Sequence, residues 1–297
     1  MADELQFALA LIVSGLSIGL MYSLIALGFV LVYKATDAIN FAQGEFVMLA
    51  GFVAAIALGD KMPVVAAVAI AVAIMVLFSF ALERIVLRPL LGRPIVAVIM
   101  ATIGLGAMLR GLPPITVGGE TRAVSLPIGD TPIGFGPITL PPVQVLGVVV
   151  TLVFLAVFTW FFLKSRMGVA MRAVADNQQV AMAMGINVER YFALAWAMAG
   201  TVSALGGVIW GSMLGVDVHL ALVGLKVFPV VILGGLDSIV GAVIGGLIVG
   251  VVESLAAGYL DPYVGGGTKD FAPYVLMILM LMFKPYGMFG THRIERV

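Results

Sequence analysis

Apolar positions run in long blocks along this chain, and the places where polar residues break into them carry most of the information. Residues 5–33, 63–82, 142–163 and 191–216 are each free of charge. Each is long enough for a membrane-spanning helix, which needs roughly 20 apolar residues. Four further blocks are shorter or interrupted: 38–59 contains Glu45, 94–109 stops at Arg110, 238–252 stops at Glu253, and 271–283 runs into Lys284. The pattern predicts an all-α, polytopic helix bundle of about eight spans. A separate element that enters the membrane is expected at 222–233.

Two of the apolar blocks are broken by polar residues. In INFAQGEFVMLAGF, Asn40, Gln43 and Glu45 precede a run of small residues; in VILGGLDSIVGAVIGGLIVG, Gly234, Gly235 and Asp237 do the same. Hydrocarbon leaves no water to satisfy exposed backbone groups, so irregular backbone at that depth is tolerated only where protein or a wet cavity lines it. Paired discontinuous helices in the two halves of a chain mark the solute path of many transporters. A helix N-terminus there offers unsatisfied N–H groups and a partial positive charge. These six residues are therefore candidates for a translocation pathway, with the two breaks expected to approach each other around a polar cavity. The alternative is that Glu45 and Asp237 sit at the water interface, with Asp237 and Ser238 capping a helix. Glycines spaced by four, as in Gly15/Gly19, Gly207/Gly211/Gly215, Gly241/Gly245 and Gly246/Gly250, predict close helix packing within the bundle or a seam with a partner.

Composition agrees with a membrane bundle. Of 297 residues, 62% are hydrophobic and 11% charged, against about 25% charged in soluble domains. The 16 basic and 16 acidic residues cancel, so attraction to nucleic acid is not expected. Their placement matters more. Basic residues gather at 83–94, 164–190 and 284–297, and the positive-inside rule assigns these to the cytoplasm. Parity then puts the N-terminus and the Pro/Gly-rich loop 111–142 outside and the tail inside. The opening MADELQ lacks the basic start of a signal peptide, so the first apolar block is expected to remain as a helix. The whole chain, 1–297, reads as a single transmembrane permease domain.

Several chemistries are absent. There is no cysteine, which removes disulfides and thiolate sites. GGGTKD (265–270) has its glycines and lysine in the wrong order for a phosphate-binding loop, so no ATP hydrolysis is expected of this chain itself. Two histidines, His219 and His292, are too few for a metal site, and no cofactor, metal site or catalytic residue is assigned. Asp217, His219 and Lys226 read as a solvated loop between spans. An ion-coupled carrier would keep acidic residues deep in its spans, whereas Glu45, Asp237 and Glu253 each fall near a predicted end.

The most distinctive polar stretch is SRMGVAMRAVADNQQVAMAMGINVER (165–190). Asp176 and Gln179 have the spacing of a helix start and Gly185 the character of a stop. A two-turn helix with an apolar side at Ala181, Met182, Ala183 and Met184 is expected, either docking elsewhere or lying on its own bundle. Together with GLMYSLIALGFVLVYKATDAINFAQGEFVMLAGF, LGGLDSIVGAVIGGLIVGVVES and FKPYGMFG, this segment makes the chain resemble the H-type membrane permeases of ABC importers for branched-chain amino acids. The resemblance implies a bacterial inner-membrane complex of two different permeases, two cytoplasmic ABC ATPases and a periplasmic solute-binding protein. It also implies that Arg172, Ala173, Asp176, Gln179, Ala181, Met182 and Gly185 belong to the helix that couples to an ATPase. The methionine-rich run departs mildly from the family's usual leucine-containing pattern. Urea, short amides or other small polar organics remain alternative solutes, and a self-contained secondary transporter or channel an alternative class.

Overall fold

A computed structural model describes residues 2–90, 93–129, 131–136 and 138–291. His292 and the other tail residues at 292–297 lie outside the described residues, as do positions 91 and 92 of the first basic segment. The described residues form twelve α-helices and one two-stranded hairpin, Ile133–Phe135 with Ile138–Leu140. The helices are α1 (Ala2–Thr36), α2 (Gln43–Gly59), α3 (Val64–Leu82), α4 (Ile95–Thr116), α5 (Pro142–Lys164) and α6 (Arg166–Asp176). They continue with α7 (Gln178–Ala183), α8 (Val188–Leu214), α9 (Leu222–Gly234), α10 (Ile239–Tyr259), α11 (Asp261–Val264) and α12 (Thr268–Phe283). The all-α bundle expected from the apolar blocks is what forms.

Among the described residues six helices, α1, α3, α4, α5, α8 and α10, are long and apolar enough to cross a membrane. Two expected spans are shorter: α2 has 17 residues and α12 has 16. At about 1.5 Å per residue each covers roughly 25 Å, short of the roughly 30 Å hydrocarbon core. The element expected at 222–233 is α9, a separate helix of 13 residues. Arg110 does not end its span, because α4 continues six residues beyond it, through Pro113 and Pro114.

Contacts group the chain into two compact units, Met1–Val30 with Ile128–Thr151 and Leu225–Val297, and Leu31–Pro127 with Leu152–Gly224. In the first unit α1 and α10 cross through glycine. A Cβ on Gly19 would lie 2.4 Å from the Gly246 carbonyl oxygen, and one on Gly15 would lie 2.7 Å from that of Gly250. Residue numbers rise along one helix as they fall along the other, so the two run antiparallel. The spacing lets backbones meet where apolar burial alone gives helices no reason to associate. Ser23 fits the same seam, donating to the carbonyls of Gly19 at 2.8 Å and Val243 at 3.2 Å. α12 runs back along α10, with the Thr268 hydroxyl donating to the Ala256 carbonyl at 2.8 Å. The start of α1 and the end of α12 therefore lie at opposite ends of this unit.

The second unit is built on α2, α3 and α8. Gly207 of α8 admits α2 so closely that a Cβ there would lie 2.5 Å from the Val47 carbonyl oxygen, and Gly200 does the same against Met75 of α3 at 2.6 Å. Phe46 fills the seam, with its ring centroid 5.5 Å from Phe78 and 6.1 Å from the buried Trp196. The glycine ridges thus serve packing inside the chain. Most of α3, α4 and α5 remains exposed, with Val65, Leu77, Ile115, Val157 and Trp160 outward, as expected of surfaces that meet lipid or another membrane protein.

Ser165, Asn177, Asn187 and Ser238 each cap a helix by accepting a backbone N–H three residues on, the arrangement that satisfies one of the orphan donors of a first turn. Outside the spans, Asp261 accepts from the Thr268 N–H at 2.8 Å and from its hydroxyl, and these bonds hold its carboxyl below the usual range.

Gly235 has φ +105, and a Cβ there would lie 2.5 Å from the Gly290 nitrogen; Gly265 has φ +86 but open space around it. Gly235→Ala is therefore expected to lower the thermal unfolding midpoint in detergent by more than Gly265→Ala, both losing roughly 1–2 kcal/mol to the positive φ and the first also meeting the Gly290 backbone. Gly119→Ala, at ordinary φ and in open space, should leave the midpoint unchanged. Equal shifts for Gly235 and Gly265 would contradict the packing described.

Candidate functional site

The first break lies between α1, which ends near Asp37 at φ +56, and α2. Asn40 and Gln43 are fully buried and Glu45 nearly so. Asn40 accepts from the Ala42 N–H at 3.1 Å and donates through Nδ2 to Gln43 Oε1 at 3.1 Å. Gln43 Nε2 then donates to the Ser203 hydroxyl at 2.9 Å, and that hydroxyl donates to the Ala199 carbonyl at 2.8 Å. Asn40 satisfies one backbone N–H of the break, and Gln43 ties Asn40 to α8. Gln43 is committed to a sealed core, so its expected place on the wall of a polar cavity does not hold.

Glu45 faces a different partner. Its Oε1 accepts from Arg110 Nη2, and Gly106, one turn earlier on α4, leaves room for the carboxyl, 3.2 Å from where a Cβ would stand. Glu45 is enclosed while the Arg110 side chain is 47% exposed, so the pair presents a guanidinium outward.

The second break belongs to the first unit. α9 ends at Gly234, which packs on Gly241 so closely that a Cβ there would lie 2.1 Å from its carbonyl oxygen. The tail closes over this turn: the N–H groups of Met288 and Phe289 donate to the carbonyls of Leu233 and Gly234 at 2.9 and 3.0 Å. Asp237 accepts from the Thr291 N–H at 3.2 Å and from its hydroxyl, while Ser238 alone caps α10. Asp237 is thus an anchor for the tail rather than a cap.

In the cytoplasm-assigned segment, two helices stand where one was expected. Asp176 is the last residue of α6, and Asn177 caps α7 by accepting from the Val180 N–H at 3.0 Å. Gly185, at φ +80, ends the element as expected. Arg172 donates to the Phe162 carbonyl and lies 5.4 Å from the centroid of that ring, holding α6 under the end of α5. Gln178 donates to the Ala35 carbonyl at 3.1 Å. Ala173 is half-buried and Gln179 exposed. Ala181 is 3% exposed, sealed against its own chain, so the expected docking role of this side chain is corrected. The outward apolar side chains are Val180, Met182 and Met184, at 57%, 56% and 77% exposed.

One cluster escaped the sequence reading. Lys226 is not in a loop but on α9, where its Nζ lies 2.6 Å from Asp270 Oδ1 and 3.5 Å from Glu253 Oε1. Glu253 is not at a span end but buried within α10, and Tyr22 of α1 donates to its Oε1 at 3.2 Å. The signal was present in LVGLKVFPVVILG, a lysine inside an apolar run, since an ionisable residue at membrane depth marks function more often than structure. Asp217 of the same expected loop instead caps a short 3-10 turn, Val218–Ala221, accepting from the His219 N–H at 2.8 Å. Among the described residues no group of three or more histidines, cysteines or acids could hold a metal ion.

The sequence model for the permease component of branched-chain amino acid transport systems matches residues 11–283. The chain is 32% identical to the high-affinity branched-chain amino acid transport system permease protein BraD of Pseudomonas aeruginosa, over 99% of both chains. It is 31% identical to the corresponding protein LivH of Escherichia coli over the full length of both. A probable branched-chain amino acid transport permease of Methanocaldococcus jannaschii is 28% identical over 90% of this chain and 88% of its own. Among solved structures, PsaBC from Streptococcus pneumoniae in complex with Fab is similar in fold, with a TM-score of 0.50 at 12% identity over 94% of this chain and 92% of that one. With a family model spanning nearly the whole chain and relatives aligned end to end, the protein belongs to the family of permease components of branched-chain amino acid transport systems.

Proposed function

We propose that this chain is the H-type permease subunit of an ATP-driven importer that carries branched-chain amino acids across a bacterial inner membrane. It works as one transmembrane domain beside a second permease, with two cytoplasmic ABC ATPases and a periplasmic solute-binding protein. The observation that carries the reading is the end-to-end similarity to two high-affinity branched-chain amino acid permeases. The N-terminus and the loop at 117–141 face outward, and 164–190 and the tail face the cytoplasm. The opposite ends taken by the start of α1 and the end of α12 support this orientation.

α7 is the ATPase-docking element. Asn177 sets its start, Arg172 and Gln178 hold it against the bundle, and Val180, Met182 and Met184 offer an apolar surface. Docking buries these side chains at roughly 1.5–3 kcal/mol each. Glu45 with Arg110 borders the solute path, Asn40 and Gln43 seal the turn behind that pair, and Gly234, Gly235 and Asp237 shape the second break.

Met182→Glu is expected to cut solute uptake by reconstituted importer at least tenfold, with the ATPase subunits lost from the purified complex, because it would bury an unpaired charge on docking. Ala181→Glu should instead reduce the yield of folded permease. Unchanged uptake and unchanged ATPase retention in Met182→Glu would refute the docking surface. For orientation, single cysteines at Thr121 and Gln179 in this cysteine-free chain should be labelled by an impermeant thiol reagent from opposite faces of the membrane. Labelling from one face would overturn the assignment. Uptake of radiolabelled leucine but not urea by proteoliposomes holding the complete importer tests the solute class.

A further inference from the structure

The Lys226 cluster is more than an ion pair. It holds two carboxylates, Glu253 and Asp270, for one ammonium, so with all three ionised it carries one excess negative charge. Lys226 Nζ and Tyr22 both address the same oxygen, Glu253 Oε1. The other oxygen, Glu253 Oε2, is buried without a hydrogen-bond partner. A purely structural pair would need only one acid, and buried polar atoms that find no partner are uncommon. An enclosed carboxylate in an apolar bundle with half its acceptor capacity idle is costly unless a donor arrives.

The cluster also has an open side. The Glu253 side chain is 10% exposed, Lys226 30% and Asp270 57%. Lys226 carries its charge on a flexible stem with three rotatable donors, unlike the fixed fork of an arginine. It can leave Asp270 for another carboxylate without a backbone change.

We infer that Lys226, Glu253, Asp270 and Tyr22 form a binding station for a zwitterionic solute. The solute carboxylate takes the place of Asp270 on Lys226, and as the lysine swings out to meet it the solute ammonium bonds the released Asp270 and Glu253 Oε2. The excess negative charge is neutralised by the incoming ammonium, and the lysine exchanges one carboxylate for another, so neither charged end of the solute enters the bundle unpaired. This station deepens the proposed function and rests on it for the solute class. Its chemistry selects an α-amino acid over an uncharged solute such as urea.

The test uses the complete importer in proteoliposomes with radiolabelled leucine. Glu253→Gln and Asp270→Asn are expected to lower uptake at least tenfold and fivefold, with the amount of assembled complex on size-exclusion chromatography within twofold of wild type. The triple variant Lys226→Met, Glu253→Gln, Asp270→Asn keeps shape and removes every charge. Uptake should stay at least tenfold down in it. Recovery to within twofold of wild type in the triple variant would show a merely structural ion pair and overturn the inference. If Glu253→Gln fails to assemble, Asp270→Asn carries the test, since its side chain is more than half exposed, and wild-type uptake in that variant overturns the inference. A wild-type importer that moves urea and not leucine overturns both the proposed function and the station. One that moves leucine equally well with Glu253→Gln overturns the station alone.

Discussion

Every buried backbone N–H and C=O that leaves a helix must find a partner, and the two helix breaks of this permease meet that demand by different means. At the first break the partners are side chains. Asn40 and Gln43 form an amide relay that ends on Ser203 of α8, 160 residues from Gln43. At the second break the partners are other backbone groups, donated by Met288 and Phe289 to the last carbonyls of α9. The glycines around each break follow from the same constraint. Gly44 lies against the Ala221 carbonyl and Gly234 against that of Gly241, so the chain can approach closely enough for the turn to be sealed rather than wet.

Charged groups within the bundle obey a related rule. Glu45 is enclosed and closed by Arg110, while Glu253 is enclosed and shared between Lys226 and Tyr22. Glu45 and Glu253, which sequence position placed near span ends, are therefore inside the protein, while Asp237 is only half-buried. Family membership already accounts for the chain as a permease. It does not account for a lysine and two acids gathered by α9, α10 and α12.

The bundle was legible because uncharged apolar runs of sufficient length admit few other structures. The breaks were legible too, since an amide pair and a glycine pair interrupt those runs visibly. What each broken segment touches was not. Ser203 and Arg110 lie 160 and 65 residues from the groups they meet, and no local pattern encodes such a distance. The coupling segment shows a second limit. α7 has only six residues, too few for its periodicity to fix which side chains turn inward, so Ala181, expected on the docking side with Met182, is buried while Met182 faces outward. The helix start moved by one residue because aspartate and asparagine cap equally well, and Asn177 had the geometry. Lys226 was misplaced because Asp217 and His219 stood close before it and made the region look like a loop.

The tail seal has a consequence for how the protein is made. Asp237 and Thr291 are 54 residues apart, and chain leaves the ribosome at about 5–20 residues per second. For roughly 1.5–6 seconds after α10 has emerged at Tyr259, the carbonyls of Leu233 and Gly234 lack the donors Met288 and Phe289. Insertion of the membrane helices and completion of the native turn are therefore separate events, the second waiting on nearly the last described residues. A nascent permease passes through a state that is membrane-embedded yet unlatched, and a chain stopped after α12 would remain in it.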